Sequence, residues 1–192
     1  MPDRNDAALD FLLTRRSHPA QALKAPAPDR DQLRTILTAA ARSPDHGKLE
    51  PWRFIVLTRD RLQRLADALP AAGTRIGIPQ EKIDKPVMTY SGAPLAVVVV
   101  SSPVESDKVP KIEQTYSAGA VCAALVNAAL ASGFGATWLS GWFSHDRDVI
   151  RDQFELANHE TVAGIVHIGT GNTAPSDRPR PDIDAITDWG DL

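Results

Sequence analysis

The residues from Pro110 to Gly141 read PKIEQTYSAGAVCAALVNAALASGFGATWLSG. Their spacing predicts one long helix from Pro110 to about Ser132. Proline suits a first helical turn, where its missing N–H would have no intrahelical partner. Gly133 suits the helix end, where a left-handed residue closes the last turn. The middle, Ala118–Ala131, is rich in alanine and apolar on nearly every face. Such a helix has to be buried all round. A chain of 192 residues has little material for that purpose, so the expected cover is a second copy of the same chain. Ala136–Leu139 then reads as a strand ending in Ser140-Gly141. The Gly133-Phe134-Gly135 turn is no dinucleotide fingerprint, because that needs a strand before it and a helix after it. Here the order is reversed.

Working outward, Ala96–Val100 is a continuous run that suits a central strand covered on both faces. Phe54–Leu57, flanked by Trp52 and Thr58, and Thr161–Ile168, closed by Gly169-Thr170-Gly171, read as further strands. Ala7 to about Arg15 is the expected first helix, with Asp6 as its cap and Ala8, Phe11, Leu12 and Leu13 on its apolar face. A Pro- and Ala-rich connector follows. Asp29 and Gln32 form a candidate capping box for a helix carrying Leu33, Ile36, Leu37, Ala40 and Ala41 at helical spacing. Ser43-Pro44 ends it, because the residue before proline avoids the helical region. Leu62, Leu65, Ala66 and Leu69 mark a third helix. Ala71–Gly92 holds Gly73, Gly77, Pro79 and Pro86, and loop with a short helix is expected there. A short helix near Asp146–Phe154 has Ser144 as candidate cap. The tail from Asn172 to Leu192 should be extended, and in a dimer it would embrace the partner. Interspersed helices and strands indicate an α+β or three-layer sandwich, in one domain spanning residues 1–192.

Lys and Arg number 21 against 24 Asp and Glu, a formal net charge of −3. That balance gives no reason to expect nucleic acid or an anionic membrane as partner. Cys122 is the only cysteine, so no internal disulfide is possible. The polar start Met1–Asp6 lacks the order of a signal peptide, and Ala118–Ala131 is too short to span a bilayer. A cytoplasmic protein is expected.

Several residues are candidates for chemistry. Arg15-Arg16-Ser17 offers two guanidinium forks and a hydroxyl, a good receptor for phosphate. Taken alone, cations complementing the helix dipole are the preferred reading. Ser43-Pro44-Asp45-His46 and Glu50-Pro51-Trp52 form a polar loop before a strand, a common place for cofactor contacts; taken alone it is a plain connector. Trp138-Leu139-Ser140-Gly141 lets a flat ligand approach the backbone closely. Arg178-Pro179-Arg180-Pro181 is basic and stiff, and by itself reads as a solvated linker. His18, His145, His159 and His167 show no metal-ligand spacing. His167, in the last strand, is expected to be a satisfied core or edge histidine. Cys122 lies in the buried helix and is expected to pack rather than react.

As an ordered set these signals carry more. A helix ends Arg-Arg-Ser, and a capped helix leads into Ala-Arg-Ser-Pro. Then come Pro-Trp-Arg-Phe, a long alanine-rich helix and Gly-Phe-Gly-Ala-x-Trp. The last strand ends Ile-Gly-Thr-Gly before Arg-x-Arg-Pro. This order resembles the FMN-dependent nitroreductase family across almost the whole chain, its short bacterial members above all. The resemblance implies an α+β three-layer sandwich, a mainly antiparallel sheet flanked by helices, in an intertwined homodimer with FMN at the interface. It implies that Arg15, Arg16 and Ser17 hold the FMN phosphate, ribityl chain and ring edge. Arg42 and His46 would reach the cofactor from the other subunit. Trp138, Leu139 and Ser140 would lie along the flavin, and Arg178 and Arg180 would contact the phosphate. Ala128, Ala129, Leu130, Ala131, Ser132 and Gly133 match a stretch assigned to the nicotinamide nucleotide.

The implied reaction is a ping-pong cycle. NADH or NADPH delivers hydride to flavin N5, and a nitroaromatic, quinone or similar electron-poor small molecule then takes it. No protein residue acts as nucleophile or general acid, and no metal is involved. Three positions depart from the family pattern. Lys48 stands for asparagine, Glu50 for glutamine, and Pro19 for a cation near the flavin edge. These departures keep open a second reading, an FMN storage or sensing module with negligible turnover. Reductive dehalogenation or flavin fragmentation on the same scaffold goes with long lid insertions, which this compact chain lacks.

Overall fold

A run of β-branched residues can be satisfied only where both faces of a strand are covered. In a computed structural model describing residues 3–172 and 175–191, all of β3 (Leu95–Ser101) is buried. It pairs on one side with β2 (Trp52–Leu57) and on the other with β5 (Thr161–Gly171), and β4 (Gly135–Leu139) pairs with β5. The sheet order is therefore β2–β3–β5–β4, with the two-residue β1 (Leu23–Lys24) joined to the end of β5. Every pairing is antiparallel.

Alternation along β3 sorts the core into two halves. Leu95, Val97 and Val99 face α2 (Arg30–Ala40) and α5 (Lys111–Ala131), together with Ile36, Val121, Cys122 and Leu125. Ala96, Val98 and Val100 face α3 (Arg59–Arg75), α4 (Gln80–Gly92) and α6 (Arg147–Phe154), together with Leu65, Tyr90, Ile150 and Phe154. Helices thus cover both faces of an antiparallel sheet, the three-layer α+β sandwich expected from sequence.

Local signals explain most boundaries. The Asp29 side chain accepts from the N–H groups of Asp31 and Gln32, and the Gln32 side chain answers to the Asp29 N–H. Gly133, at φ +84°, closes α5 in the left-handed region that a side chain disfavours. Three expectations need correction. The helix α1 (Asp6–Thr14) is capped by Asn5, which accepts from Ala8 N–H, rather than by Asp6. The cap of α6 is Asp146, accepting from Val149 N–H, while Ser144 is buried in a 3-10 turn. Residues 71–92 are mostly helical, since α3 runs through Pro70 and α4 through Pro86. Burial of Leu62, Leu65 and Leu69 in α3, and of Ile83 and Tyr90 in α4, outweighs the hydrogen bond each proline removes.

The long helix α5 is covered on one side only within a single chain. Val121, Cys122, Leu125 and Ala129 are buried, but Ile112 and Tyr116 are exposed. The apolar Leu9, Leu12 and Leu13 of α1 and Ile183, Ile186 and Trp189 of the tail are exposed too. Among the described residues, no helix is long and apolar enough to cross a membrane.

Candidate functional site

The chain leaving α1 is tied to the sheet by one backbone bond, from His18 N–H to the Ala136 carbonyl of β4 at 3.0 Å. This suspends Arg15-Arg16-Ser17 beside the start of β4. A cleft of about 500 Å³ opens there. Phe11, Arg15, Arg16 and His18 line it, as do Leu130 and Gly133 from the end of α5, and Pro175 from the tail.

Two glycines make room for the imidazole of His18. A Cβ on Gly171 would lie 2.4 Å from His18 Cδ2, and one on Gly135 would lie 3.2 Å from Cγ. The ring therefore rests on bare backbone. Its Nδ1 is buried and has no hydrogen-bond partner among the described residues. Burial pushes the His18 pKa down, so the neutral ring is favoured.

The arginines gather here from both ends of the polypeptide. Arg15 Nη2 donates to Ser17 Oγ at 2.8 Å, while its buried Nε has no partner. Burial lowers the Arg15 pKa, and the nearby Arg180 and Arg16 add to the effect. Arg16 Nη1 lies 2.8 Å from Asp177 Oδ1, and Arg180 Nη2 reaches the same oxygen at 3.3 Å. Arg16 and Arg180 thus share one carboxylate, while Arg15 stands near both without an acidic partner, so three guanidiniums face a single negative charge.

The other sequence candidates lie elsewhere. Trp138 is exposed, its indole close against Gly164, where a Cβ would sit 1.9 Å from Nε1. Leu139 and Ser140 border a second cleft of about 240 Å³ with Lys82, Lys85, Thr89 and Tyr90. His46 Nδ1 meets Glu113 Oε2 at 2.7 Å, at the start of α5. Arg42 is exposed beyond the end of α2. His46 thus stands near one end of α5 and the large cleft near the other, about 25 Å apart at 1.5 Å per helical residue. Within one chain, Arg42 and His46 do not join Arg15. Arg178 is exposed, and its N–H donates to the Asp177 carboxylate. Of the stretch 128–133, Leu130 and Gly133 line the large cleft and Ala129 is buried in the core.

His18 and Asp177 belong to the cleft, and sequence reasoning did not single them out as parts of it. The adjacency of His18 to Arg-Arg-Ser was the available signal for the first. Nothing local marks Asp177, which acquires its partners only through the fold. The expectation of a satisfied His167 is corrected. It is fully buried, neither ring nitrogen has a partner among the described residues, and Tyr90 packs edge-on at 4.8 Å. Cys122 is buried as expected, its thiol pushed up to about 12 by burial. Among the described residues no group of His, Cys, Asp and Glu could hold a metal ion.

An antiparallel sheet between two helical layers, with an arginine-lined cleft at the sheet end, defines an α+β protein with a basic cleft. The sequence matches the Nitroreductase family model over residues 12–170, and the chain belongs to that family. It is 37% identical over 163 residues to an Escherichia coli K12 protein named "Putative NAD(P)H nitroreductase YdjA", covering 85% of this chain and 87% of the relative. A solved nitroreductase-like family protein from Bacillus cereus superposes with a TM-score of 0.77 at 20% identity, over all of both chains. The FMN and NADPH-dependent nitroreductase NfnB of Sphigopyxis sp. strain HMH gives 0.72 at 19% identity, over 96% of this chain and 99% of that one. These two likenesses share the fold.

Proposed function

We propose that this chain is a cytoplasmic FMN-dependent NAD(P)H oxidoreductase. It reduces nitroaromatic, quinone or similar electron-poor small molecules in a ping-pong cycle. The observation that carries the reading is that Arg15 and Arg16 line one cleft with Arg180 beside them, three cations against the single carboxylate of Asp177. A phosphate monoester supplies that deficit with nearly two negative charges and three acceptor oxygens. The unpartnered Nε of Arg15 fits such a group.

When bound, FMN supplies the hydride-transfer chemistry, and the protein supplies binding, orientation and exclusion of water. Arg15, Arg16, Ser17 and Arg180 hold the phosphate end, with Arg178 beside them. Trp138, held against Gly164, gives a wall for the tricyclic ring, continued by Leu139 and Ser140. Ala128–Gly133 offers the nicotinamide nucleotide an apolar helix end. The active species is a homodimer. Leu12, Leu13, Tyr116, Ile183, Ile186 and Trp189 are each between 49% and 69% exposed in one chain, and a second copy would cover them. In that assembly the 172–192 tail lies at the interface, and Arg42 and His46 come to the cofactor from the partner subunit.

The test is anaerobic mixing of the FMN-loaded protein with NADH and with NADPH, followed by an acceptor screen. Rapid bleaching of the flavin absorbance by at least one nicotinamide is expected. Persistent colour with both would leave an FMN storage or sensing module. A protein that takes up no FMN would end the flavin reading altogether.

A further inference from the structure

Asp177 is the one acidic side chain paired with the clustered arginines among the described residues. Its Oδ1 contacts both Arg16 and Arg180, and its side chain is 79% exposed. Arg16, by contrast, is largely covered, its side chain only 18% exposed. A mostly solvated carboxylate therefore bridges a guanidinium near the first helix to one in the tail. The exposure and the shared oxygen argue against a packing role, since a surface ion pair adds little to stability. Its charge does bear on the cleft, because it cancels one of three positive charges where an anion would sit.

We propose that Asp177 is a specificity-determining residue of the anion site, setting how strongly the cleft rewards a ligand's phosphate. This rests on the phosphate reading given above. In the free chain the carboxylate occupies Arg16 and Arg180. An incoming phosphate has to take over those donors with Asp177 still close by. A ligand without a phosphate neither needs the donors nor meets the repulsion. Asp177 thus tempers affinity for a phosphorylated flavin and leaves affinity for its dephosphorylated form untouched. Removing a unit charge about 4 Å from a dianion near water should tighten binding roughly three- to tenfold.

The experiment uses the flavin-free full chain and its Asp177→Asn variant, each titrated with FMN and with riboflavin by flavin fluorescence quenching. Asparagine keeps the size and an acceptor oxygen while losing the charge, and so exposed a position tolerates it. The expected result is that Asp177→Asn binds FMN roughly three- to tenfold tighter with riboflavin affinity unchanged. If wild type prefers FMN but the variant binds FMN no more tightly, or more weakly, the role of Asp177 is overturned and the phosphate site stands. If the two flavins tighten equally in the variant, the effect is not on the phosphate, and the inference is likewise overturned. If wild type binds FMN and riboflavin equally, the phosphate reading fails and takes the inference with it.

Discussion

Two groups of arginines in this molecule differ in one respect, the balance of charge. On the sheet, Arg53 meets Glu160 through two parallel bonds of 2.7 Å, and Glu160 is 5% exposed. The Ala157 N–H also donates to that carboxylate. The fork from Arg53, outweighing burial, holds the Glu160 pKa at about 2. One carboxylate answers one guanidinium, and the pair is electrically complete. Beside β4, Arg16 and Arg180 share the single carboxylate of Asp177, Arg15 close to both has no acidic partner, and its buried Nε has no partner among the described residues. A balanced pair binds the fold to itself. An unbalanced cluster can lower its energy by taking up an anion, which makes it a candidate site.

The sharpest way to break this comparison is to disturb each group and read both stability and flavin content. Glu160→Gln strands a partly covered guanidinium and should cost about 3 kcal/mol of unfolding free energy, the lower end for a broken buried pair. Denaturant unfolding would check it, and flavin affinity of the folded variant should be unchanged. A loss under 1 kcal/mol would mean that Arg53 finds water as readily as its partner. Arg15→Ala should do the reverse. Loss of one charge-assisted contact to phosphate weakens FMN binding by about 2 kcal/mol, roughly thirtyfold, with little change in stability. Unchanged flavin content after dialysis would remove Arg15 from the site.

Legibility from sequence follows the same division. Elements that depend on local chemistry or long apolar runs could be read directly. The Asp29–Gln32 box, the buried Val97–Val100 run and the Gly133 turn all stand where expected. Helices α3 and α4 were harder, because Pro70 and Pro86 signal breaks that tertiary burial overrides. Arg15-Arg16-Ser17 stood out through its own composition as a candidate, though taken alone it read as cations complementing a helix dipole. The Asp177 clasp was not legible, since its partners Arg16 and Arg180 lie 161 and 3 residues away and only the fold closes the longer gap. The cradle under His18 escaped for the same reason. Gly135 and Gly171 are ordinary strand glycines until the structure brings an imidazole across them.

A third imbalance sits inside the core and gives the smallest effect. His167 is wholly buried, and burial alone lowers its pKa to about 4, against an ordinary 6.5. The folded chain therefore keeps it neutral while the unfolded chain takes up a proton below pH 6.5. Stability must fall as pH drops from 6.5 towards 4, because the unfolded state binds more protons throughout that window. From pH 7.5 to 5.5 this one residue should cost about 1 kcal/mol. Glu160 adds nothing there, since its own loss begins only below the ordinary glutamate range. His167→Phe keeps an aromatic ring against Tyr90 and has no proton to bind. Thermal unfolding of the two proteins across pH 7.5 to 5.5 isolates the term. Wild type should lose more stability on acidification than the variant. Parallel curves would mean that the imidazole is charged within the fold, so that a buried cation here has found an acceptor, as the arginines of the cleft have only in part.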